Sequence, residues 1–339
     1  MTNAHSFPLL RLPLLAAIKG IQLMNVREQF KLSKVSKRSL FIIKNSVKKQ
    51  SFKLEIKLRK EFPVKIKSRT ARNKYVFNFQ PGLDYPDSES IQNFIVHVAS
   101  VFSNLTISLD FYFAPHPRYL MDLVPLTKNL DLTRGFLRAF TDRPDDELCR
   151  FIFKECNDFK RMYMYCRTTP DFELSPEQTG AFCTDKFVIY DSWFSMNHVL
   201  QSFMDCKKLG LLSLDFSVTD VNTFLRNWIQ GSGVNYLICN VSGEGDVDME
   251  ALLEEITAVP EPEVMISFDG IGWTRHYGCF IIEQSNGVKG VVFACRNRYF
   301  AFSTMFKLDN GEKYGSWRER KYYGMEVDDE SADEEYYRE

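Results

Sequence analysis

Five histidines and eight cysteines are the side chains of this 339-residue chain best suited to holding a metal or acting as nucleophiles, and their spacing gives them no common task. His5, His97, His116, His198 and His276 stand far apart, with no HExxH motif and no His/Cys pair at zinc spacing. Cys149, Cys156, Cys166, Cys183, Cys206, Cys239, Cys279 and Cys295 fall at irregular intervals without a CxxC. Most lie inside apolar runs, so they read as buried thiols of a reducing compartment. There is no GxSxG and no Walker loop, and Gly231-Ser-Gly233 precedes a strand-like run rather than a helix, which makes it a turn and not a phosphate cradle. The acid pairs Asp145-Asp146 and Glu254-Glu255 sit in polar settings and read as solvated surface. No metal, cofactor or catalytic residue is expected.

Charge, in contrast, is strongly organised. Before residue 80 there are 19 Lys and Arg against three acids (Glu28, Glu55 and Glu61), and after it 24 against 41. A basic stretch of this kind raises nucleic acid, an anionic membrane or an acidic protein as a partner. Alternation over 44–74 places Lys53, Lys57 and Arg59 on one strand face, where phosphate contacts would give salt-dependent binding. Outward lysines also keep exposed strands from pairing with other chains, and no base-reading motif accompanies them. A solvated face is the preferred reading, and a nucleic-acid-binding protein using the basic 44–74 strands is the alternative. The longest apolar stretch near the start is the seven residues 12–18, against the ~20 needed to cross a bilayer. Residues 1–10 hold no Lys or Arg, so no secretory leader is expected. An intracellular protein, cytoplasmic or nuclear, is the expectation.

The elements that would carry these surfaces follow from periodicity. After Pro13, Leu14, Leu15, Ile18 and Ile21 recur at helical spacing; Asn25-Val-Arg-Glu28 is a capping box opening a second helix with Phe30 and Leu32; Val35, Leu40, Ile43 and Val47 line a third. Three such helices bury too little surface to be stable alone. From Ser51 the period becomes two: Phe52, Leu54, Ile56 and Leu58, then Phe62, Val64 and Ile66, then Tyr75, Phe77 and Phe79 before Pro81-Gly82. Beyond residue 90 amphipathic helices precede short strands: 91–102 before 105–111, 148–159 before 162–166, 196–206 before 211–216, and 221–229 before 236–240, with a further strand at 187–190. Strand anchors near 162, 187, 212 and 237 repeat at the length of a leucine-rich repeat, without its consensus. Strands return at 264–268, 278–283 and 288–294, the last two joined by Ser285-Asn-Gly287. Eight of the last 14 residues are acidic, as in a disordered tail.

The N-terminal unit resembles an F-box. The residues that carry the likeness are Phe7-Pro-Leu-Leu-Arg-Leu12-Pro13-Leu-Leu15, Asn25-x-x-Glu28-x-Phe30-x-Leu32-Ser33 and Val35-Ser-Lys-Arg38. In that family the Leu-Pro opening and the following apolar positions of three helices insert into a SKP-type adaptor, which tethers the chain to a cullin-RING ubiquitin ligase. The resemblance implies adaptor contacts at Leu12, Pro13, Leu15, Ile18 and Val35. Arg27 and Gln29 stand where the family usually shows apolar residues. Further on, Asn222-Thr-Phe-Leu-Arg-Asn-Trp228-Ile-Gln-Gly231, with the units before it and 278–294 after it, is similar to the F-box-associated domain of the F-box family expanded in nematodes; residues 114–147 are the least typical. Phe224 and Trp228, four apart on one helix, would also fill the core.

The fold expected is α+β with α/β character: a small N-terminal three-helix F-box, a β-strand region, and a leucine-rich-repeat-like array of helix-strand units. Its boundaries are a disordered 1–6, the F-box at 7–48, an F-box-associated α/β domain at 50–310 (repeats about 90–256, terminal strands about 264–305), and a disordered acidic tail at 311–339. The function implied is that of a non-catalytic substrate-recognition subunit of a SKP-cullin-F-box type E3 ubiquitin ligase, acting by proximity on a protein substrate whose binding residues no sequence pattern marks.

Overall fold

The computed structural model describes residues 11–58, 63–68, 74–78, 88–112, 118–191, 193–243, 245–267, 273–294 and 298–315. Residues 1–6, the Phe7 to Leu10 opening of the F-box-like pattern, Arg59, Phe62, Phe79, Pro81-Gly82, His116, Cys295 and the acidic residues from 316 onward lie outside them.

Three helices come first. Pro13, at φ −52°, is set for the start of α1 (Leu14–Gln22). Asn25 and Glu28 close the capping box of α2 (Val26–Ser33), each bonding the other's backbone N–H at 3.0 and 2.9 Å. A second box, Ser36 with Ser39, opens α3 (Lys37–Val47). Strands β1 (Phe52–Leu58), β2 (Pro63–Ser68) and β3 (Lys74–Asn78) follow, and then helices and strands alternate: α4 (Ser88–Val101), β4 (Leu105–Tyr112), α5 (Arg118–Asn129), β5 (Thr133–Phe140), α6 (Asp146–Glu155), β6 (Arg161–Tyr165) and β7 (Lys186–Ile189). A short α7 (Met196–His198) runs on as a π-helical turn over Val199–Phe203 and leads to β8 (Lys208–Phe216), α8 (Val218–Gln230) and β9 (Tyr236–Val241). After α9 (Met249–Leu252) come β10 (Val259–Ser267), β11 (Trp273–Glu283), β12 (Lys289–Ala294), β13 (Tyr299–Ser303), β14 (Phe306–Leu308) and β15 (Lys313–Tyr314). The pair α5 and β5 falls in the stretch that the sequence reading left without a helix-strand unit, where Pro125 inside the helix breaks the expected pattern.

These elements correct the expected fold class. The fifteen strands among the described residues join one mixed sheet, in the order β15-β14-β10-β11-β12-β13-β9-β8-β7-β6-β5-β4-β1-β2-β3. Among the described residues, the three N-terminal helices, the early strands and the helix-strand units are parts of one sheet-centred body, and no separate leucine-rich-repeat-like array stands beside them. β1 pairs antiparallel with β2 on one side and parallel with β4 on the other, so the early strands continue the later ones without a break. At the far side β9 pairs parallel with β8 and antiparallel with β13, which carries the ladder on into the terminal hairpins. The N-terminal helices share the same core: Ile21, Phe30 and Ile43 belong to one apolar cluster with Ile107, Phe187 and Trp228. The physical reason is that the backbone groups of a buried parallel strand must be paired on both sides, and neighbouring strands distant in sequence supply the partners.

The two faces of the sheet differ. Paired residues such as Leu54 with Ile107, Leu109 with Leu137 and Met162 with Phe187 lie on the face covered by helices and are buried. On the other face Val264, Ile266, Val291, Phe293, Phe306 and Leu308 form a smaller second core at the β10–β15 end. Within β11, Gly278 takes φ +63°, a backbone conformation that favours glycine, and His276 rests on Phe293 with ring centroids 4.3 Å apart.

One acid is buried at the seam of β6 and β7. Asp191 is 5% exposed, and its Oδ2 accepts the Cys166 N–H at 3.2 Å. Burial raises its pKa to about 7, against the smaller opposing effect of that hydrogen bond. The folded state therefore holds the Asp191 proton more tightly than the unfolded chain. The stability this contributes is complete below the ordinary carboxylate range and is lost as pH rises through about 7. Asp191→Asn should melt close to wild type at pH 4 and be more stable than wild type at pH 8, by on the order of 3 kcal/mol. Thermal melts of both proteins across that range check it.

Candidate docking surface

The N-terminal helices present apolar side chains to solvent. Ala17 and Ile21, one turn apart on α1, are buried, while Leu15 is 75% and Leu23 is 90% exposed. Leu14, Val35 and Phe41 are exposed as well, so five of the nine exposed large hydrophobics among the described residues fall within 14–41. Exposed large apolar side chains are thus concentrated in this part of the chain. Of the positions read from the sequence as adaptor contacts, Pro13, Leu15 and Val35 are exposed, and Leu12 and Ile18 are half-buried and pack on the core. Leu14, Leu23 and Phe41 complete the exposed set and were not singled out. The available signal was that α1 is apolar on almost every side, which a helix with only one buried face does not need.

The helices are held in place by contacts that local pattern did not reveal. Gln29, a departure from the expected apolar residue, is buried; its Nε2 donates to Ile21 O at 3.2 Å and Met24 O at 3.1 Å, clamping the turn between α1 and α2. Phe30 packs on Phe94 and His97 of α4, with centroids 5.4 and 5.5 Å apart. Ser33 Oγ meets His97 Nε2 at 2.9 Å. Burial and the nearby Lys34 ammonium both push the His97 pKa down.

Several of the residues whose types suit chemistry make structural contacts. Asp145 caps α6 by accepting Leu148 N–H at 2.9 Å, and Asp146 accepts from Thr169 N at 2.8 Å and Oγ1 at 2.6 Å. Glu255 pairs with Arg226 at 2.7 Å. His198 accepts the Ser195 N–H at Nδ1, 3.1 Å, which leaves Nε2 to donate to Leu174 O at 2.7 Å. Burial raises the thiols of Cys156 to about 12 and of Cys206 to about 11, and holds Cys149, Cys166 and Cys239 higher still, so all five stay protonated. Cys183 is exposed. No group of three or more His, Cys, Asp or Glu able to hold a metal occurs among the described residues, and no helix there is long and apolar enough to cross a membrane.

The basic strands are partly neutralised from within. Glu55 lies 3.0 Å from Lys53 and 2.9 Å from Lys67, and Lys57 lies 4.0 Å from Asp110. Burial alone would raise the Glu55 pKa; Lys53 and Lys67 together bring it below the ordinary value.

The motif on α8 is a packing node. Trp228 is fully buried, donates from Nε1 to Val234 O at 2.9 Å and meets Phe302 at 4.7 Å. Phe224 meets the same ring at 6.2 Å. Asn222 Nδ2 donates to Leu252 O and Glu254 O at 2.9 and 3.0 Å, and its Oδ1 accepts from Arg226 Nε at 2.7 Å. Phe182 stacks on Phe203, centroids 4.4 Å apart and 15° from parallel, and Phe187 lies 4.5 Å from the same ring.

Residues 182–237 match the F-box associated family. The matched segment runs from Phe182 through β7, β8 and α8 to the start of β9, and so contains Phe182, Phe187 and Phe203 together with Phe224 and Trp228, whose partner Phe302 lies outside it. The chain is also 22% identical over 219 residues to the Skn-1 dependent zygotic transcript 15 protein of Caenorhabditis elegans, a match covering 63% of this chain and 62% of that protein. No solved structure matches the chain.

The closeness of this packing sets a test. A Cβ on Gly290 would stand 2.3 Å from Phe302 and 3.1 Å from Trp228. Gly290→Ala should therefore destabilise the protein by about 1–3 kcal/mol, even though alanine suits a strand better than glycine does. Urea unfolding with an unchanged m-value is the measurement.

Proposed function

We propose that this protein is a non-catalytic substrate receptor of a SKP-cullin-F-box type ubiquitin ligase. The N-terminal helices dock the adaptor and the sheet holds a protein substrate near the ubiquitin-charged enzyme. The observation that carries the reading is the exposure of Leu14, Leu15, Leu23, Val35 and Phe41 in and beside the N-terminal helices of a chain that also holds a segment matching the F-box associated family. The F-box-like pattern around Leu12 and Pro13 supports it, as does the relative in a nematode. Obligate interfaces resemble a core cut in half, and these leucines are the half on offer.

The full chain should capture a purified SKP-type adaptor. Leu15→Asp with Leu23→Asp, both at exposed positions, should abolish capture without lowering the melting temperature. Leu12→Ala with Pro13→Ala should weaken it, at about 2 kcal/mol, or roughly 30-fold in Kd, per important contact. A wild-type chain that fails to capture the adaptor and instead binds RNA or DNA with a steep salt dependence would sink the proposal in favour of the basic 44–74 strands.

A further inference from the structure

Helix α3 carries charge in a pattern that works against its own stability. Its inner side, Ser39, Ile42, Ile43, Ser46 and Val47, is buried. On the opposite side Lys37, Phe41, Lys44 and Lys48 recur at helical spacing, within about 60° of one another around the axis and over a rise of about 16 Å, with Arg38 and Asn45 beside them. All six are exposed, and so is Lys49, which follows the helix. The first turn holds Lys37 and Arg38 and no acid, although the helix dipole favours acids there. Lys44 and Lys48, four apart, repel each other. A surface helix that served solubility alone would mix charges of both signs.

The charge is not offset within the N-terminal unit. Residues 11–49 hold ten Lys and Arg against the single acid Glu28, whose carboxylate closes the capping box of α2. Glu55, the next acid, is taken by Lys53 and Lys67. The strand cations thus have carboxylate partners, and Lys57 has Asp110. Among the described residues no ion pair engages Lys37, Arg38, Lys44, Lys48 or Lys49. Phe41, in the middle of the row, is 57% exposed, and among the described residues no other ring or cation lies over it. The row is held rigidly: Ile42, Ile43 and Val47 belong to the main core, and Ser103 Oγ and Asn104 Nδ2 donate to Lys48 O at 3.1 and 3.4 Å, which fixes the end of the helix.

The chemistry of the row selects among anions. A bilayer surface calls for several apolar side chains that enter the headgroup layer, and this face has Phe41 alone. Carboxylates are matched best by the planar fork of arginine, whereas four of these five cations are lysines, point charges that suit phosphate. An open ring among phosphate-binding cations is the arrangement that holds single strands: the cations track the backbone and the ring stacks on a base.

We propose that the exposed face of α3 binds single-stranded nucleic acid, with phosphates on Lys37, Arg38, Lys44, Lys48 and Lys49 and a base stacked on Phe41. This surface is distinct from the basic strands, and the inference does not rest on the receptor reading.

Fluorescence anisotropy with the full chain tests it, using as probes fluorescein-labelled oligouridine and a poly-Glu peptide of equal length, beside co-sedimentation with vesicles of phosphatidylserine and phosphatidylcholine. Wild type should bind oligouridine, and five phosphate contacts give log K a slope of about −3.5 against log salt. Lys44→Gln with Lys48→Gln should weaken binding roughly tenfold or more and make that slope shallower by about 1.4. Its melting temperature should be unchanged or raised, because a like-charge pair is removed. Lys44→Arg with Lys48→Arg should bind as wild type does, and Phe41→Ala should weaken binding roughly tenfold at an unchanged slope. No binding of oligouridine by wild type, undiminished binding by the Gln variant, loss in Lys57→Gln with Lys67→Gln instead, or equal binding of poly-Glu or of the vesicles would each overturn the proposal. The result stands or falls on α3 whether or not the adaptor is captured.

Discussion

Backbone pairing between β1 and β4 on one side, and between β9 and β13 on the other, is the constraint on which the rest of the molecule depends. The strands β1 and β4–β9 run parallel, and a parallel strand tolerates neither an open edge nor a wet face well. Here none of them is an edge. The two junctions convert the ladder from parallel to antiparallel, and the edges of the sheet fall on β3 and on the two-residue β15. Local periodicity treats the early strands, the helix-strand units and the terminal hairpins as three regions; interstrand hydrogen bonds make them one.

Once the sheet is continuous, its two faces carry different tasks. One is covered by helices and buries aliphatic and aromatic side chains in a single large cluster, into which α1 and α2 are tied through Gln29, Phe30 and Ser33 and α3 through Ile42, Ile43 and Val47. That tie matters because three short helices with much of their apolar surface exposed would not hold together without support. Anchored on α4, they can leave Leu15 and Leu23 in water without unfolding. On the other face, the alternating positions of β5–β7 hold arginines, lysines and tyrosines such as Arg138, Arg161, Tyr163 and Lys186 instead of leucines.

The matched segment supplies packing contacts to distant parts of the fold. Asn222, Phe224, Arg226 and Trp228 sit on one helix and reach, respectively, the turn after α9, Phe302, Glu255 and the loop before β9. Four side chains within two turns thus fix three distant segments.

The sequence by itself was enough for most local elements: the capping box at Asn25 and Glu28, the alternation from Phe52 to Leu58, and the strands near 162, 187 and 237 all follow from hydrogen-bonding side chains and apolar period, which act over a few residues. It was not enough for α5, where Pro125 obscures the helix and only the surrounding packing retains it, nor for the role of Gln29, whose partners are carbonyls on a neighbouring turn. Among the leucines of α1 it could say that too many were apolar, but not which would face water. That depended on where α3 and α4 stand. The single sheet, the exposed leucines and the cationic row of Arg161 and Lys186 arise only in the tertiary structure, because strand order and register are set by hydrogen bonds between residues far apart in the chain, and no local pattern encodes them.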